Sequence, residues 1–140
     1  PVIDFYTLSQ VGNSFWKTCI AEGVTPKEFS EKNMVPRPDS LENFMIIFPF
    51  GLNSEAVGTR KVILQFNFRD DVTGSCWFMI QKDNISAEEG RKDKPDITIE
   101  APFELWMDIM TGKADGQQMF MDQKYEVDGD LSLMIQLFQK

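Results

Sequence analysis

The chain has 140 residues, of which 42% are hydrophobic and 26% are charged, and its formal net charge at pH 7 is −8. These values are typical of one globular domain with its own apolar core. The acidic balance argues against a nucleic-acid-binding surface and against steady adhesion to anionic membranes, because both need a basic surface. The longest apolar run, residues 44–50, is far too short to span a bilayer, so we expect no stable membrane insertion.

Histidine is absent from the sequence, which excludes His-based triads and dyads and removes the commonest metal ligand and general base. Cys19 and Cys76 are widely separated and make no metal-binding spacing. Free thiols in a reducing compartment are favoured, although a disulfide between them stays open. Because no secretory signal pattern is present, we expect a cytoplasmic protein. A start at Pro1 rather than Met fits a processed protein or one domain of a longer protein.

The N-terminal region is predicted to be helical. Apolar residues at helical spacing and a stop at Gly23 predict a helix over residues 2–22. Its stripe consists of Leu8, Val11, Phe15, Trp16 and Cys19. Thr25 and Glu28 form a capping box for a short second helix, and Pro36 and Pro38 then force extended backbone. We therefore predict that residues 1–36 are a helical arm or linker, compatible with the tail of a larger protein, and that residues 37–140 form the main domain.

Strands follow one another in the middle of the chain. Ser40 is placed to cap a helix that ends at Pro49, and residues 54–56 suggest a short helical turn. Alternating apolar residues predict a strand over 62–68 and a second over 76–82, joined by a polar hairpin loop. Shorter strands are predicted at residues 85–87 and 96–100. A run of strands with helices at both ends is typical of an α+β fold.

The last forty residues contain two apolar stripes at helical spacing. The first stripe is Phe103, Trp106, Met107 and Met110, and the second is Leu131, Met134, Ile135 and Phe138. A short helical piece and a strand around Tyr125 and Val127 lie between them. Five of the eight Met residues lie in this segment. Flexible Met side chains suit both an ordinary core and an adaptable apolar ligand site, so the periodicity leaves these two interpretations open.

No group of residues predicts catalysis or metal binding. Residues 128–130 resemble the start of a calcium loop, but position 12 of that loop is Gln139 instead of the bidentate Glu. A turn with Asp130 as a helix cap is the better interpretation. Asp108, Asp115 and Asp122 have no identifiable nucleophile partner. We therefore predict no enzyme activity, no catalytic residue, no metal and no cofactor.

An ordered set of motifs over residues 62–140 resembles the sterol carrier protein type 2 domain family. The motifs are Leu-Gln-Phe-Asn-Phe at 64–68, Trp77 followed by Lys-Asp-Asn at 82–84, Lys-Pro-Asp-Ile-Thr-Ile at 94–99, the turn and short helix at 110–121, and the last strand and helix at 124–137. Asn84 and Gln123 depart from the pattern, since the family usually has Gly at both positions.

The resemblance implies a five-stranded, mostly antiparallel sheet covered by helices, with an apolar tunnel between them. It also implies non-covalent binding and carriage of a fatty acid, an acyl chain or a sterol-like ligand. By this resemblance the tunnel would be lined by Phe66, Phe68, Trp77, Met79, Trp106, Met110, Phe120, Met121, Met134 and Phe138. The alternative is an accessory or protein-interaction domain at the C-terminus of a larger redox enzyme, with a closed tunnel. The expected partners are accordingly a lipid or fatty-acid ligand and a fused or partner enzyme domain.

Overall fold

A five-stranded mixed sheet is the centre of the computed structural model, which describes residues 10–32 and 34–138. The strands are β1 (Val62–Arg69), β2 (Gly74–Gln81), β3 (Asn84–Glu89), β4 (Ile97–Pro102) and β5 (Glu126–Gly129). Their order is β3-β2-β1-β4-β5, with β1 and β4 parallel and the other neighbours antiparallel. The predicted α+β class and the mostly antiparallel five-stranded sheet are confirmed.

Helices precede the sheet and follow it. They are α1 (Gly12–Glu22), α2 (Pro26–Glu31), α3 (Leu41–Ile47), α4 (Phe103–Met110), α5 (Gly116–Met121) and α6 (Leu131–Phe138), with two 3-10 turns at Phe48–Gly51 and Ser54–Val57. In the described part, the predicted first helix begins at Gly12, and residues 1–9, including Leu8 of its stripe, lie outside the described residues. Gln139 and Lys140 also lie outside them.

The predicted caps form as the side-chain chemistry requires. Thr25 and Glu28 make both hydrogen bonds of a capping box, and the Ser40 hydroxyl accepts from the Asn43 amide. The Asp130 carboxylate accepts from the Leu133 amide at 3.0 Å, which begins α6. The sequence predicts Pro102 as the first helical residue, since its missing N–H costs nothing there. In the structure it instead ends β4 with extended backbone and directly precedes the first residue of α4.

The two faces of the sheet differ in what covers them. One face of β1 carries Val62, Leu64, Phe66 and Phe68, all buried, and it packs against Phe44 of α3 and Trp106 of α4. The other face of β1 and β2 carries Ile63, Gln65, Asn67, Trp77 and Met79. Since side chains alternate along a strand, the contacts of α3 and α4 with β1 are all on the first face.

The N-terminal arm packs on the main domain through a small apolar cluster, and Glu22 of the arm pairs with Lys113 at 3.4 Å. Cys19 and Phe29 are the buried centre of that cluster, and Phe50 of the main domain packs against them. Arg37 donates to the carboxylates of Glu104 at 2.8 Å and Asp108 at 2.7 Å, both on α4. The division into an arm and a main domain stays a prediction.

Candidate functional site

An apolar cavity of about 810 Å³ lies among the last three helices and the first 3-10 turn. This volume is within the range of small-molecule binding pockets, about 300–1,000 Å³. The cavity is lined by Trp106, Ile109 and Met110 of α4, by Gly116, Gln117, Phe120 and Met121 of α5, by Leu131, Met134, Ile135 and Phe138 of α6, and by Val35, Ile47, Phe48, Gly51 and Tyr125.

Helical spacing explains why these side chains meet. Residues three and four positions apart share one face of a helix, so α4 presents Trp106, Ile109 and Met110 together and α6 presents Leu131, Met134, Ile135 and Phe138 together. Asp115 begins α5, because its carboxylate accepts from the backbone amides of Gln117 and Gln118. The two apolar stripes seen in the sequence thus become two walls of one cavity.

The cavity runs from a buried interior to an exposed rim. Trp106 is only 2% exposed and its ring lies 5.3 Å from that of Phe66 on the sheet, measured between centroids. At the other extreme, Met121 is 67% exposed and Ile135 is 54% exposed. Exposed apolar side chains around a concave apolar surface are characteristic of a binding site rather than of a closed core.

Polar groups at the cavity are few and uncharged. Among the described residues, no Asp, Glu, Lys or Arg side chain lines it. The Tyr125 hydroxyl donates to the backbone oxygen of Gly116 at 2.8 Å, and burial together with the nearby Asp115 carboxylate raises the pKa of Tyr125 above its ordinary value. The Trp106 Nε1 atom is buried and has no hydrogen-bond partner in the described part of the chain.

Six of the ten residues that the family resemblance implied line this cavity. These are Trp106, Met110, Phe120, Met121, Met134 and Phe138. Phe66 and Phe68 lie beside the cavity in the filled core: Phe66 contacts the Trp106 ring, and Phe68 packs against Phe44 and Phe103. Phe66 and Phe68 therefore pack in the core next to the cavity and are not among its lining residues.

Trp77 and Met79 lie on the opposite face of the sheet, away from the cavity. Trp77 is paired with Gln65 and Met79 with Ile63, whereas the core-facing Phe78 is paired with Leu64. Lys92 covers Trp77, with its Nζ 5.0 Å from the ring centroid. Trp77 and Met79 alternate in the sequence with Phe78 and Ile80, so the two pairs lie on opposite faces of β2. Because one cavity cannot be lined by both faces of a strand, Trp77 and Met79 are not part of this cavity.

Several lining residues were not among the ten. Leu131 and Ile135 belong to the second apolar stripe, and Ile109 is adjacent to the first, so periodicity alone was able to identify them. Val35, in contrast, comes from the extended segment before Pro36, and no sequence pattern connects it with residues a hundred positions later. Arg37, two residues after Val35, pairs with Glu104 and Asp108 of α4.

The described residues provide little else that points to chemistry. No group of three or more acidic or Cys side chains there has the arrangement of a metal site. No helix in the described ranges is both long and apolar enough to cross a bilayer. The cavity is apolar, and the described residues that line it include no ionised acid or base and no Cys or Ser nucleophile.

Solved structures with a similar fold include large enzymes. A double mutant of the sec-alkyl sulfatase PisA1 aligns with 73% of this chain at a TM-score of 0.63 and 19% identity. The sec-alkylsulfatase Pisa1 from Pseudomonas sp. aligns with 76% at a TM-score of 0.58 and 18% identity. This chain spans 16% of the length of each sulfatase chain, so the same fold occurs there as one part of a much longer protein.

The apo form of sterol carrier protein 2 from Yarrowia lipolytica aligns with 60% of this chain and 75% of its own, at 22% identity and a TM-score of 0.49. The comparison with curated proteins gives no match. The model of the SCP-2 sterol transfer family matches residues 53–139, well over half of the sequence. This match includes the whole sheet, α4, α5 and α6, and therefore most of the cavity wall. The chain belongs to the SCP-2 sterol transfer family.

Proposed function

We propose that this protein binds a lipid non-covalently in the cavity and carries it, the ligand being a fatty acid, another acyl chain or a sterol-like molecule. The observation that supports this most directly is the cavity itself: about 810 Å³, apolar, without a charged side chain among its described lining residues. Membership of the SCP-2 sterol transfer family supports the same function.

Burial of an alkyl chain supplies enough free energy for such binding. Each buried methylene contributes about 0.8 kcal/mol, so twelve contribute roughly 10 kcal/mol. Ordering of the ligand and loss of its free motion reduce that figure by several kcal/mol. With a cost of about 4 kcal/mol, about 6 kcal/mol remains, which corresponds to a dissociation constant of tens of micromolar.

A matched pair of Met substitutions tests the proposed site. Met110 and Met79 are both partly buried, but Met110 lines the cavity and Met79 lies on the other face of the sheet. Met110→Glu places a carboxyl group in the apolar cavity. The apolar surroundings disfavour the ionised form of this group, and the group in turn disfavours the binding of an alkyl chain beside it. We expect Met110→Glu to weaken uptake of a fluorescent fatty acid at least tenfold, an estimate based on the cost of burying a charge, while Met79→Glu leaves it within about twofold.

Equal uptake of the fatty acid by both folded variants would show that the cavity is not the lipid-binding site. Lipid extraction followed by mass spectrometry is the companion measurement, because it identifies any ligand that copurifies. One lipid per chain from the wild-type protein, and a reduced yield from Met110→Glu, is the expected result.

A second candidate is an accessory domain of a larger enzyme. The specific observation in its favour is that the sulfatases with the same fold are about six times longer than the part that aligns, since this chain spans 16% of each. The open cavity favours lipid binding over a filled, purely structural domain. An endogenous polypeptide much longer than 140 residues on an immunoblot, with no lipid uptake by the isolated chain, would favour this candidate.

A further inference from the structure

One buried polar atom of a cavity-lining residue has no hydrogen-bond partner in the described part of the chain. The indole Nε1 of Trp106 is a hydrogen-bond donor only, it is buried, and no described residue accepts from it. Buried polar groups in proteins nearly always have a partner, because an unpaired one loses its hydration without compensation. Trp106 is also one of the residues that line the cavity. Its Nε1 atom is covered in this structure, so a bound molecule supplies the missing acceptor only when the flexible Met side chains of the cavity, such as Met110 and Met134, move aside.

The other polar side chain in the interior does not compete for this role. The Tyr125 hydroxyl already donates to the Gly116 oxygen at 2.8 Å. The Tyr125 and Trp106 rings are in edge contact, with centroids 5.5 Å apart. Gln117 lies at the exposed side of the cavity. Trp106 is therefore the one buried lining side chain in the described residues with a free donor.

The surroundings disfavour an ionised headgroup. No described lining residue carries a positive charge. Of the described basic side chains near the lining residues in sequence, Arg37 is paired with Glu104 and Asp108, and Lys113 with Glu22 at 3.4 Å. Lys124, next to Tyr125, is exposed and is not among the lining residues. An anion moved from water into such a site loses its hydration without gaining a counter-charge.

Depth determines the direction in which a ligand would lie. Trp106 is in the buried interior, and the exposed side of the cavity is formed by apolar side chains such as Met121, Leu131 and Ile135. A molecule with its oxygen at Trp106 would place its alkyl chain against that apolar rim, which would then be covered. The reverse orientation would leave the indole donor unpaired and put the polar end among Met, Leu and Ile.

We propose that the cavity selects an uncharged lipid with an oxygen acceptor, such as an ester, ketone or alcohol, and binds it with that oxygen at the Trp106 indole and the alkyl chain toward the rim. This inference rests on the proposed function, because it specifies the ligand of the same cavity. It predicts discrimination among molecules of equal chain length by the chemistry of their polar end.

Three probes with the same chain separate the contributions: methyl laurate, laurate and dodecane, each competing at pH 8 with the neutral dye Nile red. At that pH laurate is ionised, since ordinary carboxyl groups titrate near about 4. We expect methyl laurate to bind roughly two- to tenfold more tightly than dodecane, the worth of one hydrogen bond, and on the order of tenfold more tightly than laurate. Trp106→Phe keeps an aromatic ring and should abolish the advantage over dodecane.

The indole N–H resonances of the wild-type protein provide a readout that does not depend on the Trp106 variant. Its three Trp residues give three such signals, which Trp16→Phe and Trp77→Phe assign by elimination. Methyl laurate should shift the Trp106 signal downfield, as a new hydrogen bond does, and dodecane should not.

Equal affinity for methyl laurate and dodecane without an indole shift would overturn the Trp106 contact, and laurate binding as tightly as the ester would overturn the selection of uncharged lipids. In both cases the proposed lipid-carrier function would stand. If none of the three probes displaced the dye, both the proposed lipid binding and the proposed selectivity would be contradicted.

Discussion

The helices cover the sheet in two parts that are packed differently. In the first part, the Phe44 ring is surrounded by those of Phe48, Phe66, Phe68, Phe78 and Phe103, with centroids 5.0–6.4 Å from its own. In the second part, Met110, Met134 and Phe138 line the cavity, and the Phe138 ring also contacts those of Phe48 and Trp106. Both parts are apolar, and they share Phe48 as their boundary.

This difference indicates how the protein keeps a cavity open without collapsing. Aromatic rings have few torsions and pack in preferred edge-on and offset geometries, so the filled part holds α3 and α4 on the sheet by itself. Met side chains are flexible and polarizable, so the second part can adapt to an alkyl chain. The filled core and the cavity wall thus consist of neighbouring sets of residues that overlap at residues such as Phe48, Trp106 and Met134, and residues that belong to one set alone can be tested separately.

The largest expected effect comes from the filled part. Phe44 is fully buried, and Phe44→Ala removes the ring that five others contact, which leaves a cavity and costs about 3–5 kcal/mol of unfolding free energy. Phe120→Ala is the matched control, since Phe120 is only partly buried at the cavity, and it should cost less than about 2 kcal/mol. Urea unfolding monitored by circular dichroism measures both. Similar costs for the two variants would contradict the division into a filled and an open part.

A smaller effect is expected from alkaline pH, again in the filled part. Cys76 is fully buried on β2 opposite Phe66, and burial, with a smaller contribution from Glu89, raises the pKa of its thiol from 9.0 to about 12. Because the folded pKa is the higher one, the folded state is fully favoured below pH 9 and loses stability as the pH rises toward 12. At pH 10 this loss is about 1–2 kcal/mol.

Cys76→Ala gives the comparison for this prediction. The unfolding free energy of the wild-type protein should fall more steeply between pH 9 and 11 than that of Cys76→Ala, while other titrating groups affect both alike. The native Cys76 thiol should also react with an aromatic disulfide reagent only as fast as the protein unfolds. Rapid labelling at pH 8 under native conditions would contradict the described burial.

The smallest effect on stability is expected at the edge of the open part. Arg37 joins Glu104 and Asp108 of α4, and Val35, two residues earlier, lines the cavity. Since these ion pairs are partly exposed, Arg37→Gln should cost only about 1 kcal/mol of stability. It should, however, speed the release of a bound lipid several-fold by loosening Val35. Lys17→Gln is the control, because Lys17 pairs with Asp39 away from the lining residues. Lipid release is measured by stopped-flow displacement. An unchanged release rate in Arg37→Gln would show that the Arg37 ion pairs do not affect the binding site.

The local elements and their order follow from residue spacing and end signals. The capping box at Thr25, the caps at Ser40 and Asp130 and the two apolar stripes act within a few residues of themselves, and each produces the helix that it predicts. The strands of β1 and β2 likewise alternate as the sequence indicates. Such signals are short-ranged, so a single sequence contains them in full.

Which apolar residues meet a ligand is decided by long-range pairing. The antiparallel register of β1 and β2 and the parallel register of β1 and β4 place Phe66 and Phe68 in the filled core and Trp77 and Met79 on the opposite face. The packing of α4, α5 and α6 then leaves the cavity, which Val35 also lines, close in sequence to the Arg37 ion pairs with α4. Periodicity specifies which side of an element is apolar, but whether that side is filled by a neighbour or left open depends on segments far apart in the chain.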